Sequence, residues 1–477
     1  MRPTLLLLAV LAAPAAAQSA PLTPPDSALL YRILTAEDHR DRNDSALVEG
    51  GRHPDARIRS LATRALARIT DSTYAARRDG PSYAPRAAWP LPEWRPRYDS
   101  LRTKRHDCTA LEHAMQDGVV QVRLRAIDLL SLMCADSGTI ISRLPAWVDA
   151  LEDRSLSALA PPVRWSWHTA AHALVALARL RPGLAGARVV RLSTHRQWEV
   201  RMYAARAAVE LKDTTLLRQL ARDRDDNVRE AAIDGLAQLA GHAEDSVYLQ
   251  ALNSSGAQAV RAAAIALKGT AYPDAPRLLD RALRRWLRRP NDSERDVRLA
   301  LLTAAGRPAT DDRPFSGPAP LPAEVVALAL GADIRLRVTM AAANGGGVFI
   351  VGLRGDVAPI TAARIVALAE RGYYDGLRWH RVIPDFVTQG GGPGANEYVG
   401  YPRFFRDELG TIPHLRGGVG MSTRGHDTGD AQWFFDLSDN ARLDKDYTLF
   451  GVVVEGMDVV DRILEGDVIG TIRLERH

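Results

Sequence analysis

The chain has 477 residues, with 62 Lys+Arg against 57 Asp+Glu, 46% hydrophobic and 25% charged residues. This excludes a globally disordered chain, and the length exceeds one ordinary core, so at least two domains are expected. A net charge of +5, carried by bases of which only Lys104, Lys212, Lys268 and Lys445 are lysines, is too weak over this length to mark a nucleic-acid binder.

At the N-terminus, Arg2 precedes an apolar run from Leu5 to Ala13, and Ala15-Ala16-Ala17 precede Gln18. The pattern predicts a secretory signal over residues 1–17, cleaved after Ala17. Its apolar run falls short of the roughly 20 residues needed to span a bilayer, although a retained anchor helix is the alternative. No later stretch is long enough to span, and no Cys follows the small residues for lipid attachment. The mature chain is therefore expected to be exported, periplasmic or secreted, without a membrane span.

Residues 27–305 repeat a Val/Ile-Arg pair followed by small and apolar residues at helical spacing. The pair occurs at Ile58-Arg59, Val122-Arg123, Val163-Arg164, Val200-Arg201, Val228-Arg229, Val260-Arg261 and Val297-Arg298, the last four 28, 32 and 37 residues apart. Such a period, without strand-like alternation, predicts stacked helical hairpins. Acidic residues such as Glu199, Asp225, Asp226, Glu294 and Asp296 flank these pairs, so acid and Arg are expected to link loops of adjacent repeats. The array resembles the HEAT-like repeats, which implies an all-α solenoid. It offers either a partner-binding surface or a spacer for another domain.

Three stretches interrupt or decorate this region. Residues 77–98, with Trp89, Trp94 and five prolines, read as an insertion or long loop. Arg281, Arg284, Arg285 and Arg288 share one helical face around Trp286, which suits an acidic partner or, more simply, solvent. Trp167 and His168 are expected to be packing residues. Cys108 begins one predicted helix and Cys134 ends the next, and the turn near Asp117-Gly118 folds the two antiparallel. In an oxidising space the pair is expected to form a disulfide, with two buried thiols as the alternative. Residues 306–323, with Pro308, Pro314, Pro318, Pro320 and Pro322, predict a linker that separates domains more than it packs.

Beyond the linker the pattern becomes β. Ile334, Leu336 and Val338 alternate with polar residues, Asn344-Gly345-Gly346-Gly347 is a turn, and Val348 to Leu353 complete a hairpin. A helix opens at Ala358-Pro359 and runs to Gly372. Short strands follow at 378–383, 386–389, 418–422, 432–436 and 448–453, which together predict a closed barrel capped by helices.

Within it, Gly372-Tyr373-Tyr374-Asp375-Gly376, then Trp379-His380-Arg381-Val382-Ile383-Pro384-Asp385-Phe386-Val387-Thr388-Gln389-Gly390-Gly391, and later Gly429-Asp430-Ala431-Gln432-Trp433-Phe434-Phe435 resemble the cyclophilin family of peptidyl-prolyl isomerases over about 333–477. The resemblance implies an eight-stranded barrel with a shallow groove, no cofactor and no metal, and proline-containing polypeptides as clients. It assigns Arg381 as the catalytic donor and Gln389 as its orienting partner. It assigns Phe386, Val387, Phe434 and Leu443 to the wall of the proline pocket, and Gln432, Ser422, Thr423 and Tyr447 to the flanking peptide. Departures are Trp379, Arg364, Thr423, Arg442 in place of a groove tryptophan, Tyr447, and a short loop from Gly390 to Phe405. The chemistry needs no bond cleavage, so a fixed donor and an apolar pocket suffice.

Taken whole, the sequence predicts an N-terminal helical solenoid joined to a C-terminal closed β-barrel. The expected function is that of an exported folding catalyst, with a non-catalytic scaffold for proline-containing segments as the alternative. No phosphate-cradling loop or metal-ligand spacing occurs.

Overall fold

The computed structural model describes residues 22–70, 89–104, 107–134, 138–151, 167–310, 323–329, 333–410 and 412–476. The expected signal over 1–17, Val163-Arg164 and most of the proline-rich linker lie outside these residues. The chain divides into two compact units, 1–74 and 75–477.

In the first unit, α1 (Pro24–His39), α2 (Ser45–Gly51) and α3 (Ala56–Thr70) pack around Leu29, Ile33, Leu47, Ile58, Ala62 and Ala65. Thr23 and Asp26 form a capping box that satisfies the first free amides of α1. Glu37 is fully buried and ion-paired to Arg64 and Arg68 at 2.9 and 2.8 Å.

The second unit begins with α4 (Arg95–Thr103). It continues through α5 (Cys108–Ala114), α6 (Val120–Met133), α7 (Gly138–Asp149), α8 (Trp167–Leu180), α9 (Pro182–Leu192), α10 (Trp198–Glu210), α11 (Thr214–Leu220), α12 (Asp226–Ala240), α13 (Asp245–Ala251), α14 (Ala257–Ala266), α15 (Ala275–Leu287) and α16 (Arg295–Ala304). The even-numbered helices α6 to α16 stack on one another. Their alanines, among them Ala126, Ala204, Ala232 and Ala263, are buried at the contacts and allow close approach.

Among the described residues, five of the repeated arginines sit in the first turn of their helix and reach back across its interhelical turn, while Arg261 meets Glu230 instead. Arg59 donates to the carbonyls of His53 and Pro54, Arg123 to Asp117, Arg201 to His195 and Arg196, Arg229 to Asp223, and Arg298 to Asn291. The expected linkage between repeats is also present: Arg201 pairs with Asp223 at 2.7 Å, and the Asp226 carboxylate accepts from the amides of Gln258 and Ala259 at the start of α14. The arginine face of α15 is only partly free. Arg284 pairs with Asp280, and Arg285 donates to the carbonyls of Leu252 and Ser254, while Trp286 is fully buried.

Cys108 and Cys134 are bonded, with Cα atoms 5.7 Å apart and a sequence separation of 26. Closing a loop of that length stabilises by about 3 to 4 kcal/mol in the chain-entropy account. Thiol titration of the unfolded, unreduced protein should find no free thiol, and two per chain would rule the bridge out.

The barrel comprises β1 (Ile334–Met340), β2 (Val348–Leu353), β3 (Trp379–Val382), β4 (Val387–Gly390), β5 (Gly418–Met421), β6 (Trp433–Asp436), β7 (Leu449–Glu455) and β8 (Ile469–Arg476). The sheet order is β3-β4-β6-β5-β7-β2-β1-β8, and a bridge between Arg378 and Val468 joins its two ends. The seven shorter expected strands are present within a residue or two, and β8 is an eighth that pairs with β1 along its length. Helices α17 (Ala323–Ala329), α18 (Pro359–Glu370) and α19 (Met457–Asp461) complete this half, with α17 packed on α18. Its interior is aromatic: Trp379, Trp433, Phe349, Phe435 and Phe450 are all fully buried.

Two expectations are corrected. The proline-rich stretch does not keep barrel and repeats apart. Gln121 donates to the carbonyl of Asp461 at 2.9 Å, Arg378 pairs with buried Glu199 at 3.0 Å, and His168 bonds the carbonyl of Glu465 at 2.5 Å. The Pro/Trp-rich segment is likewise no free loop where it is described. Trp89 donates to the carbonyl of Val453 at 2.9 Å, and its ring lies against Gly417, where a Cβ would come within 2.5 Å of it. Gly417 also has φ +87°, so both the backbone and the contact require glycine there. Arg95, in α4, donates to Pro384 and Ser438 at 3.0 Å each. The reason is physical: the partners of Trp89 and Arg95 lie 364 and 289 residues away in the chain, and sequence periodicity is blind to pairs so far apart.

Candidate functional site

The groove is built on β3, β4 and β6. Antiparallel pairing sets Arg381 opposite Gln389 and Gln389 opposite Phe434, so three assigned residues fall in one row across the strands. The Arg381 guanidinium, about two-fifths exposed, reaches Gln389 Oε1 at 3.3 Å, and Gln389 Nε2 donates to Ser422 Oγ at 2.8 Å. Gln389 thus fixes the arginine while being fixed itself by β5's end.

Beside this row, Val387, Phe434 and Leu443 form a small apolar cluster, with Phe386 and Tyr447 packed on its edge. The ring of Phe434 lies over Gly420, where a Cβ would come within 2.3 Å, so only glycine on β5 lets the ring seat. Behind Phe434 stacks His414, whose Nδ1 meets Asp436 at 3.0 Å and Nε2 the carbonyl of Tyr447 at 3.3 Å. Burial is the largest single influence and opposes a charge on His414, but the bond to Asp436, the charge of that carboxylate and the Tyr447 carbonyl together outweigh it and raise the imidazole pKa. Tyr447 meets Phe434 edge-on, with centroids 5.7 Å apart. The resulting groove has a volume of about 480 Å³.

Arg381, Phe386, Val387, Gln389, Ser422, Thr423, Phe434, Leu443 and Tyr447 all line this groove. Gln432 does not. It is 1% exposed, and its side-chain amide donates to the carbonyls of Glu397 at 3.2 Å and Val399 at 3.4 Å. It holds the loop after β4 instead of lining the groove, and its Oε1 accepts from Gln389 Nε2 at 3.5 Å. The Ser422 amide is also used, donating to the carbonyl of Gln432 at 2.8 Å.

Sequence reading missed Glu397. Its carboxylate lies 3.1 Å from the same Arg381 nitrogen that serves Gln389. The loop that carries it is held from both sides. On the barrel, Arg424 donates to the Glu397 carbonyl. On the repeats, Asn396 bonds Asn227 and Gln258, the Arg261 guanidinium covers the Tyr398 ring at 3.7 Å, and Arg424 pairs with Asp296. Arg364, one of the departures, lies over the rings of Tyr401 and Phe405 and so steadies the far end of that loop. Arg442 places its guanidinium 3.9 Å from the Phe386 ring centroid, a cation–π contact where the family commonly has an indole. A lone glutamate in a glycine-rich loop gives no signal by which sequence could have found it.

Among the described residues no group of three or more metal-ligating side chains occurs, and no helix is long and apolar enough to cross a membrane. The arrangement offers a fixed cationic donor, a neutral amide that aims it, and an apolar seat for a small ring.

Comparison with known proteins gives two family matches: "Cyclophilin type peptidyl-prolyl cis-trans isomerase/CLD" over residues 337–476, and HEAT repeats over 186–268. A peptidyl-prolyl cis-trans isomerase of Helicobacter pylori is 39% identical over 119 residues, covering 24% of this chain and 73% of that protein. Peptidyl-prolyl cis-trans isomerase B of Bacillus subtilis is 37% identical over 122 residues, covering 25% and 85%. Peptidyl-prolyl cis-trans isomerase-like 1 of Mus musculus is 38% identical over 124 residues, covering 24% and 74%.

Proposed function

Since the chain belongs to the cyclophilin-type peptidyl-prolyl cis-trans isomerases, we propose that it isomerises X-Pro bonds of exported polypeptides in the Arg381 groove, with its helical repeats meeting clients or partners. The observation that carries the site is Arg381 held by Gln389 at 3.3 Å beside the Val387, Phe434 and Leu443 cluster. Rotation about the amide meets a barrier of about 18 to 20 kcal/mol because resonance is lost. As the bond twists, the prolyl nitrogen regains a lone pair, and a donor aimed at it stabilises the twisted state more than either planar one. The apolar cluster seats the pyrrolidine ring, while the planar guanidinium presents its donors in a fixed fork. No covalent intermediate or proton transfer is needed.

Export is supported by the Arg2 to Ala17 pattern and by the bonded cysteines, which persist in oxidising spaces. N-terminal sequencing of the exported protein should begin at Gln18. A protease-coupled assay on an X-Pro peptide tests turnover directly, and binding without turnover would support the scaffold reading, for which the Glu397 contact on Arg381 speaks.

The groove also predicts weak inhibition by cyclosporin. In the resemblance stated above, tight binding leans on the indole that Arg442 replaces. Losing that donor and flat apolar face costs a few kcal/mol. Nanomolar inhibition of this chain would contradict the expectation.

A further inference from the structure

Arg381 and Glu397 face two concavities at once. On one side lies the proline groove. On the other is a cavity of about 590 Å³ between β3, the loop after β4, and helices α8, α10, α12 and α14 of the repeats. The pair is therefore a partition, not an end wall, and a polypeptide leaving the groove over it enters the repeat region.

The cavity is chemically unbalanced. Its arginines are engaged: Arg179 pairs with Glu210 at 2.5 Å, and Arg206 lies over the Tyr203 ring at 4.5 Å. Glu230 and Asp234 stand one turn apart on α12 and both line the cavity. Glu230 meets Arg261 at 3.4 Å and accepts from Gln258 Nε2 at 2.5 Å, while Asp234 makes no hydrogen bond or ion pair among the described residues and feels the Arg261 charge only from a distance. Burial first, and then the neighbouring Asp234 charge, push the Glu230 pKa up to about 7. Apolar residues Trp198, Met202 and Val209 complete the lining.

A second observation is independent of these carboxylates. His380 also lines the cavity, and both its ring nitrogens are buried without a hydrogen-bond partner. Burial, then the adjacent Arg381 charge, keep the ring neutral, with a pKa pushed down to about 3. A neutral imidazole offers one donor and one acceptor, the complement of a peptide amide.

We propose that the repeats form the far half of the substrate site: the polypeptide flanking the X-Pro bond crosses the Arg381–Glu397 pair, lies against His380, and places a lysine or arginine side chain between Glu230 and Asp234. The long aliphatic stem of such a side chain suits Met202 and Trp198, and its charge suits the two carboxylates. The inference deepens the isomerase reading and rests on it.

The test uses the full chain and a set of peptides with one X-Pro core, carrying Lys, norleucine or Glu singly at each of four positions on either side. Binding is read by calorimetry and turnover by the protease-coupled assay. At one position Lys should bind about tenfold tighter than norleucine, the effect of one hydrogen bond to a charged group. In Asp234→Asn and Glu230→Gln that preference should fall to near unity. Equal binding of Lys and norleucine at every position, tighter binding of Glu, or a preference that survives both substitutions would overturn the proposal. Failure of the isomerase reading looks different: selective binding of Lys peptides with no turnover of any.

Discussion

Replacing Arg381 with alanine is expected to lower kcat/KM on an X-Pro peptide by about 100- to 1000-fold, the range seen when one preorganised donor is removed from a site of this kind. The side chain is about two-fifths exposed and contributes to no apolar cluster, so the chain should unfold at an unchanged denaturant midpoint. Gln389 would remain bonded to Ser422 Oγ, and the Phe434 seat would stay closed over Gly420. Arg381→Lys should recover only part of the rate, because an ammonium cannot meet Gln389, Glu397 and a prolyl nitrogen through a planar fork. Unchanged turnover in a folded Arg381→Ala protein would remove this residue from the mechanism. The Glu397 contact adds a smaller effect of opposite sign. Its two partners are both about two-fifths exposed, so the ion pair is worth no more than about 1 kcal/mol, and Glu397→Gln should raise kcat/KM by a few-fold by freeing the donor.

The largest expected loss of stability lies elsewhere, at Arg416. Its guanidinium is 3% exposed and fully committed: to Asp461 at 2.7 Å, to the carbonyl of Leu437 at 2.9 Å, and to that of Pro90 at 3.0 Å. Arg416→Ala leaves a buried carboxylate and two carbonyls without their donor, a change that costs about 3 to 5 kcal/mol. Asp461 is already raised in pKa by burial, against the pull of Arg416, so on losing the arginine it would take up a proton. The Arg416→Ala, Asp461→Asn double variant should therefore be less destabilised than the sum of the singles. Urea titration followed by tryptophan fluorescence measures both. A loss of unfolding free energy below about 1 kcal/mol in Arg416→Ala would show that the Pro90 segment and the barrel are not coupled through it.

The barrel and its groove were legible because their signals are local. Alternation at 334–338, the glycine turn at 345–347 and the run from Trp379 to Gly391 each determine structure within a few residues of themselves. Strand β8 carried readable alternation too, at Ile472 and Leu474, but little flanks it to mark a beginning. What could not be read is what depends on pairs distant in sequence. Gln432 has the residue type of a peptide-binding amide, yet whether it faces a substrate or the 397–399 carbonyls depends on where a loop 33 to 35 residues earlier comes to rest. Glu397 is likewise ordinary until Asn227, Gln258 and Arg261, more than 130 residues upstream, fix the residues on either side of it. The docking of Trp89 and Arg95 spans still longer separations, 364 residues in the case of Trp89 and Val453.

The arginines that reach back across the repeat turns act as rulers. Arg59, Arg201 and Arg229 each bind a carbonyl six residues before themselves, and Arg123 does the same with Asp117. Arg298 reaches a carbonyl seven residues back, so the rings these guanidinium groups close differ by no more than one residue. An insertion of several residues inside such a ring would put the carbonyl out of reach. The separations of 28, 32 and 37 residues between successive pairs vary far more than these rings do. Within a module, then, the metered turn is the part that varies least in length.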